Sequence, residues 1–146
     1  MEQNYFKYEN VVNFNIDEIK TALKSILEAN KTRFLHEDKD LNDDFGSYHF
    51  GEIKCSYMVT LNKVDESSTK ITVNCSPRHG GFQASMASLE NYTNEFLAIL
   101  TAKLNGASDE EMASVVKQNN SDSSLACSSI IITIIIIVAS LFFIFM

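Results

Sequence analysis

The string Ser76-Pro77-Arg78-His79-Gly80-Gly81 concentrates more chemistry than any other stretch of this 146-residue chain. Two side chains able to carry positive charge precede two glycines, and glycine leaves backbone N–H groups open to an approaching anion. Arg78, His79, Gly80 and Gly81 are therefore the candidate ligand site, and the ligand class is anionic. No helix-capping phosphate motif of the P-loop type accompanies them. The plainer expectation is a strand-to-helix connection whose glycines serve the backbone.

Other chemical groupings are weaker. Asp38, Asp40, Asn42, Asp43 and Asp44 suggest a calcium loop. The EF-hand pattern requires Gly at its sixth position and Glu at its twelfth. Counted from Asp38, those places hold Asp43 and His49, so a solvated acidic loop is expected. His36, His49 and His79 lie on separate segments, and none stands in a recognisable triad pattern. Cys55, Cys75 and Cys127 are odd in number and lack metal-ligand spacing, which predicts neither a disulfide framework nor a zinc site. No catalytic residue, metal or cofactor is expected, and the chain does not read as an enzyme.

Charge narrows the partners. All 12 Lys+Arg and all 19 Asp+Glu precede Leu125, so the net charge of −7 belongs to the part before it. An acidic surface repels phosphate backbones, and Lys31 with Arg33 is too small a basic group to reverse that. Nucleic acid is excluded as a partner.

Residues 125–146 read LACSSIIITIIIIVASLFFIFM and carry no charge. From Ile130 onward only Thr133 and Ser140 are polar, and both hydroxyls can bond back to a helix carbonyl. About 20 residues of helix cross the roughly 30 Å hydrocarbon core. An isolated strand would leave its backbone groups unsatisfied in lipid. A transmembrane tail anchor over 125–146 is therefore expected, with Ile130, Ile134, Ile137, Leu141, Phe142 and Phe145 in the span. Cys127, at its edge, is a candidate for S-palmitoylation. Met1 to Tyr5 is polar and acidic, without the basic and apolar regions of a signal peptide, so the domain is expected to face the cytosol. Sequons at Asn30, Asn74, Asn91 and Asn119 supply a readout of that orientation.

The elements that would position these residues follow from periodicity. A short strand is expected at 11–14. Asn15 and Glu18 form a capping-box pattern ahead of Ile16, Ile19, Leu23, Ile26 and Leu27, which predicts a helix over 16–30. Strands are expected at 33–37, 46–53, 55–64 and 69–76, the last two with clean two-residue alternation and a turn at 65–68. That turn would set Val59 opposite Cys75 and leave Cys55 well out of register with it. A long helix is expected over 84–104, with Met86, Leu89, Phe96, Leu97, Leu100 and Leu104 on its apolar side and Asn105-Gly106 as its C-cap. Ser108 and Glu111 then open a short helix, and 117–124 is polar.

The fold class is α+β: an antiparallel sheet of four or five strands in the order β-α-β-β-β-β-α, helices on one face, plus the C-terminal transmembrane helix. The domain organisation is 1–106 for the α+β domain, 107–124 for short helix and tether, and 125–146 for the anchor. The function expected is a binding or adaptor module at the membrane surface, with the bilayer and a protein as partners. The alternatives are a carrier of a small apolar ligand between sheet and long helix, and an enzyme acting on an anionic substrate through the 76–81 loop. A vesicle-fusion role is excluded because 107–124 holds no heptads.

Overall fold

In the computed structural model, residues 4–30, 34–78, 84–108 and 110–111 are described. His79, Gly80, Gly81, Cys127 and the apolar span from Ile130 to Phe145 lie outside them. Among the described residues no helix is long and apolar enough to cross a membrane.

The chain runs β1 (Phe6–Val12), α1 (Ile16–Ala29), β2 (Leu35–Asn42), β3 (Phe45–Gly51), β4 (Cys55–Lys63), β5 (Thr69–Pro77) and α2 (Met86–Leu104). The five strands form one antiparallel sheet in the order β1-β5-β4-β3-β2. The expected α+β sheet with helices on one face is therefore present.

Local chemistry explains the first helix. The Asn15 side chain accepts from Glu18 N–H at 2.9 Å, and the Glu18 carboxylate accepts from Asn15 N–H at 2.9 Å. A side-chain cap of this kind contributes about 1 kcal/mol. Ile16, Ile19, Ala22, Leu23, Ile26 and Leu27 are buried, which is the apolar stripe that the spacing predicts. The Lys20 ammonium donates to the Asn42 carbonyl and ties α1 to the β2–β3 turn. Thr69 Oγ1 donates to Phe14 O at 2.9 Å and ties the entry of α1 to β5.

Alternation explains the sheet. On β4, Cys55, Tyr57, Val59 and Leu61 are buried, and on β5 Thr69, Ile71, Val73 and Cys75 are buried. These side chains face α1 and α2. At one end Phe34, Phe50, Tyr57 and Phe96 interlock, with ring centroids 5.1–6.4 Å apart. Burial pushes the Tyr48 phenol, also on this face, up to about 12. The folded state thus favours the neutral phenol. Its contribution is intact below the ordinary value of 10 and is lost as pH rises from 10 towards 12. The unfolding free energy from urea titrations at pH 9 to 12 is expected to fall by roughly 2 kcal/mol more in the natural protein than in Tyr48→Phe.

Several expectations need correction. The first strand is Phe6–Val12 and not 11–14, because the alternation of Phe6, Tyr8 and Val12 pairs with β5. The acidic segment is not a loop: Asp38 to Asn42 belong to β2, and Asp43-Asp44 is the turn to β3. An edge strand tolerates such charge, which also discourages pairing with another chain. Val59 faces Val73, and Cys75 faces Tyr57. Val64 and Asp65 N–H both donate to Ser68 O, so the turn takes in Val64 and the register slides. Met86 is 49% exposed, outside the core, whereas Thr93 and Ile99 are buried. Asn105 is the C-cap of α2, as expected, and Gly106 takes a φ of +85°, a left-handed conformation natural to glycine.

Candidate functional site

Both helices pack on the inner face, so among the described residues no helix covers the outer face of the sheet. Its residues are the other phase of the strands, and they are mostly small and polar. Two territories differ in chemistry. Towards β1 the face is charged: Glu9 meets Lys7 and Lys70 at 3.1 Å each, and Thr72 Oγ1 donates to Glu9 at 3.2 Å. Hydrogen bonds from Lys7 and Lys70 hold the Glu9 carboxyl below the usual carboxylate range.

Towards the start of β4 the face is neutral and hollowed. Tyr5, His49, Ser56, Met58, Asn74 and Ser76 line a pocket of about 370 Å³. Register builds it: Ser56 pairs with Ser76, and Met58 pairs with both His49 and Asn74. The short side chains Ser56 and Ser76 make the floor low, and Tyr5 and Met58 supply apolar flanks. Asn74 Oδ1 is shielded from solvent and has no hydrogen-bond partner among the described residues. A shut-away acceptor of this kind costs about 1–3 kcal/mol. Replacing Asn74 by the nearly isosteric leucine is therefore expected to stabilise the fold by about 1 kcal/mol in urea unfolding. A loss of stability would show that the amide is satisfied in solution.

Arg78 borders this end of the sheet. Its Nη1 donates to Glu52 O at 3.1 Å, and its backbone N–H donates to Lys54 O at 3.2 Å. The guanidinium lies against Gly51, where a Cβ would stand 3.4 Å from Nη1. Glycine at 51 thus admits the arginine head to the backbone. Of the four residues of the expected anion site, Arg78 is tied to the β3–β4 turn, and the other three lie outside the described residues.

Beneath the same end sits a polar cluster in the core. Tyr57 Oη is 3.3 Å from Glu52 Oε1 and 3.2 Å from Tyr92 O, the latter fastening the sheet to α2. Cys55 and Cys75 are wholly buried free thiols, and Thr93 Oγ1 donates to Leu89 O at 2.8 Å. Between the sheet and α2, where the alternative carrier reading would place a small apolar ligand, the rings of Phe34, Phe50, Tyr57 and Phe96 stand in contact at this end.

The outer pocket was not foreseen in the sequence. Its signal is the solvent phase of 55–64 and 69–76, where an exposed methionine stands among Ser, Thr and Asn. Alternation identifies that phase, but only the register of three strands gathers His49, Met58 and Asn74.

No family model and no curated protein matches the sequence. Among solved structures the chain is similar to the Zhui aromatase/cyclase from Streptomyces sp. R1128, at 13% identity and a TM-score of 0.33. The match covers 84% of this chain and 97% of that one, and a likeness at this level carries no inference about what this chain does.

Proposed function

We propose that the chain is a membrane-tethered binding module that recognises its partner through the outer face of its sheet. The observation that carries this reading is the pocket of about 370 Å³ on a face that neither helix covers. Its volume falls in the range of ordinary ligand sites. Its lining mixes an imidazole, hydroxyls and an amide with the apolar Met58 and Tyr5, which suits recognition. Among the described residues its lining holds no carboxylate beside His49.

The uncharged run from Ile130 to Met146 supports the tether. Anchoring would hold the face at the bilayer surface and raise its effective concentration for partners there. The net charge of −7 favours a partner with basic groups.

The test is photocrosslinking of the full chain in its own membranes. A photoreactive residue at Met58 should give a discrete adduct that disappears when Asn74 is replaced by arginine. The same residue at Glu28, exposed on α1, should give none. Equal adducts at both positions would overturn the assignment of the recognition face.

A further inference from the structure

The sheet ends in two edge strands whose chemistry differs. Among the described residues, β1 pairs only with β5 and β2 only with β3. The β2 edge carries Asp38 and Asp40, which discourages pairing with another chain. The β1 edge carries one basic and one acidic residue, Lys7 and Glu9, two positions apart. Lys7, Glu9 and Val11 are exposed, and Phe6, Tyr8 and Val12 are half-buried at the margin of the core. Backbone groups along an antiparallel strand point alternately to its two sides. Val11 N–H donates to Asn10 Oδ1 at 2.9 Å and so not to β5. The phase of Val11, which includes Lys7 and Glu9, therefore turns its N–H and C=O groups to the edge away from β5.

Such a strand can pair with a copy of itself across a two-fold axis, and the side chains decide where the axis falls. Inner and outer faces stay continuous only if the axis passes through a residue and not between two. An axis at Lys7 sets Lys7 against itself, and one at Glu9 sets Glu9 against itself. Like charges directly opposite are unfavourable. Axes at Phe6 and Asn10 set Lys7 against Tyr5 and Glu9 against Val11, a charge against an uncharged residue. An axis at Tyr8 sets Lys7 against Glu9 of the second copy, and symmetry makes that match twice. The edge-facing phase makes each Lys7–Glu9 pair a hydrogen-bonded one that exchanges two backbone bonds. Tyr8 then faces Tyr8 of the second copy as a non-hydrogen-bonded pair, the closer of the two kinds.

We propose that the chain associates with a second copy of itself through β1, edge to edge and antiparallel, with the two-fold axis at Tyr8. The two sheets join into one, with both outer faces on the same side. Glu9, which already meets Lys7 and Lys70 at 3.1 Å each, then stands between Lys70 of its own sheet and Lys7 of the second copy. The half-buried Phe6 and Tyr8 gain cover from Asn10 and Tyr8 of that copy. His49, Met58 and Asn74 stand on β3, β4 and β5, away from the joined edges. A contact of one strand is small, so the pairing is reversible and rises with concentration.

The test uses the full chain with Cys127→Ser in a mild detergent, one cysteine placed on β1, and a disulfide-forming oxidant. Cys55 and Cys75 are wholly buried and stay out of reach. Tyr8→Cys sets the two new thiols across the axis, where a Cα separation of about 4.5 Å lies within disulfide range. Asn10→Cys offsets them by four residues, about 13 Å along the strands. Crosslinked dimer should form about tenfold faster from Tyr8→Cys than from Asn10→Cys. Lys7→Glu and Glu9→Lys, each added to Tyr8→Cys, should lower the yield about fivefold, because each sets like charges opposite. An equimolar mixture of those two variants should restore it, since each then meets its opposite in the other. That recovery also shows that both variants are folded. Equal rates at positions 8 and 10, or a mixture no better than either variant alone, would overturn the pairing. Absence of dimer at both positions would overturn it too, and would leave the edge to a strand of another protein.

Discussion

Replacing Phe96 by alanine is expected to destabilise the domain by about 3–5 kcal/mol. In a domain of roughly 100 residues, 1 kcal/mol moves the melting temperature by about 4–8 °C, so the midpoint should fall by more than 12 °C. The reason is where Phe96 stands. It is 0% exposed, and its ring centroid lies 5.3 Å from Phe50, 5.4 Å from Tyr57 and 6.4 Å from Phe34. It is the α2 member of a ring cluster whose other members come from β3, β4 and the segment before β2. The void left by truncation cannot close easily. The Tyr57 hydroxyl is bonded to Tyr92 O, one turn earlier on the same helix, and holds α2 at its present distance from the sheet. Met86→Ala, on the same helix but half exposed, should change stability by less than about 0.5 kcal/mol. Thermal unfolding of the two variants checks the contrast. A shift of only a few degrees for Phe96→Ala would mean that α2 repacks.

Much of this fold was legible because local signals agreed with the tertiary outcome. Asn15 and Glu18 stand at capping-box spacing, and both hydrogen bonds form. The strict alternation of 55–64 and 69–76 marks which face each residue takes, and burial follows it residue by residue. The signal failed where pairing overrides composition. Asp38 to Asn42 is polar and rich in turn residues, yet it is a strand because β3 supplies its hydrogen bonds. Thr93 looks like a surface residue on a helix and is buried, its hydroxyl satisfied by Leu89 O one turn back.

The candidate sites were less legible than the fold, for a physical reason. A pocket on a sheet face is made by residues far apart in sequence, and which of them meet depends on register. Turn closure at Ser68 brings Ser56 opposite Ser76 and Met58 opposite Asn74. The same slide sets Cys75 opposite Tyr57 on the inner face. One turn geometry, which sequence alone placed inaccurately, therefore decides both what lines the outer pocket and what packs beneath it. Arg78 illustrates the converse. Its string was conspicuous, but its guanidinium is engaged with the Glu52 carbonyl against Gly51.

Placing arginine at both Ile134 and Ile137 is expected to release the full chain from membranes into the soluble fraction. On the proposed reading these positions sit near the middle of a helical span, three residues apart and so on one side of it. An arginine at the centre of a membrane helix opposes insertion by about 2.5–3.5 kcal/mol on biological insertion scales. Leucine, isoleucine, phenylalanine and valine each favour it by about 0.3–0.6 kcal/mol, so the run from Ile130 to Met146 contributes several kcal/mol in total. Two arginines approach or exceed that sum, and the bound population should fall by an order of magnitude or more. Carbonate-washed pellets of the natural chain, the double variant and a chain ending at Ser124 provide the measurement. The natural chain should pellet and the other two should not. The capping box, the ring cluster and the sheet all lie before Ser108, so the double variant should keep the unfolding midpoint of the natural domain. If it instead pellets like the natural chain while remaining folded, the apolar run does not hold the protein to the bilayer, and the tether in the proposed function must be abandoned.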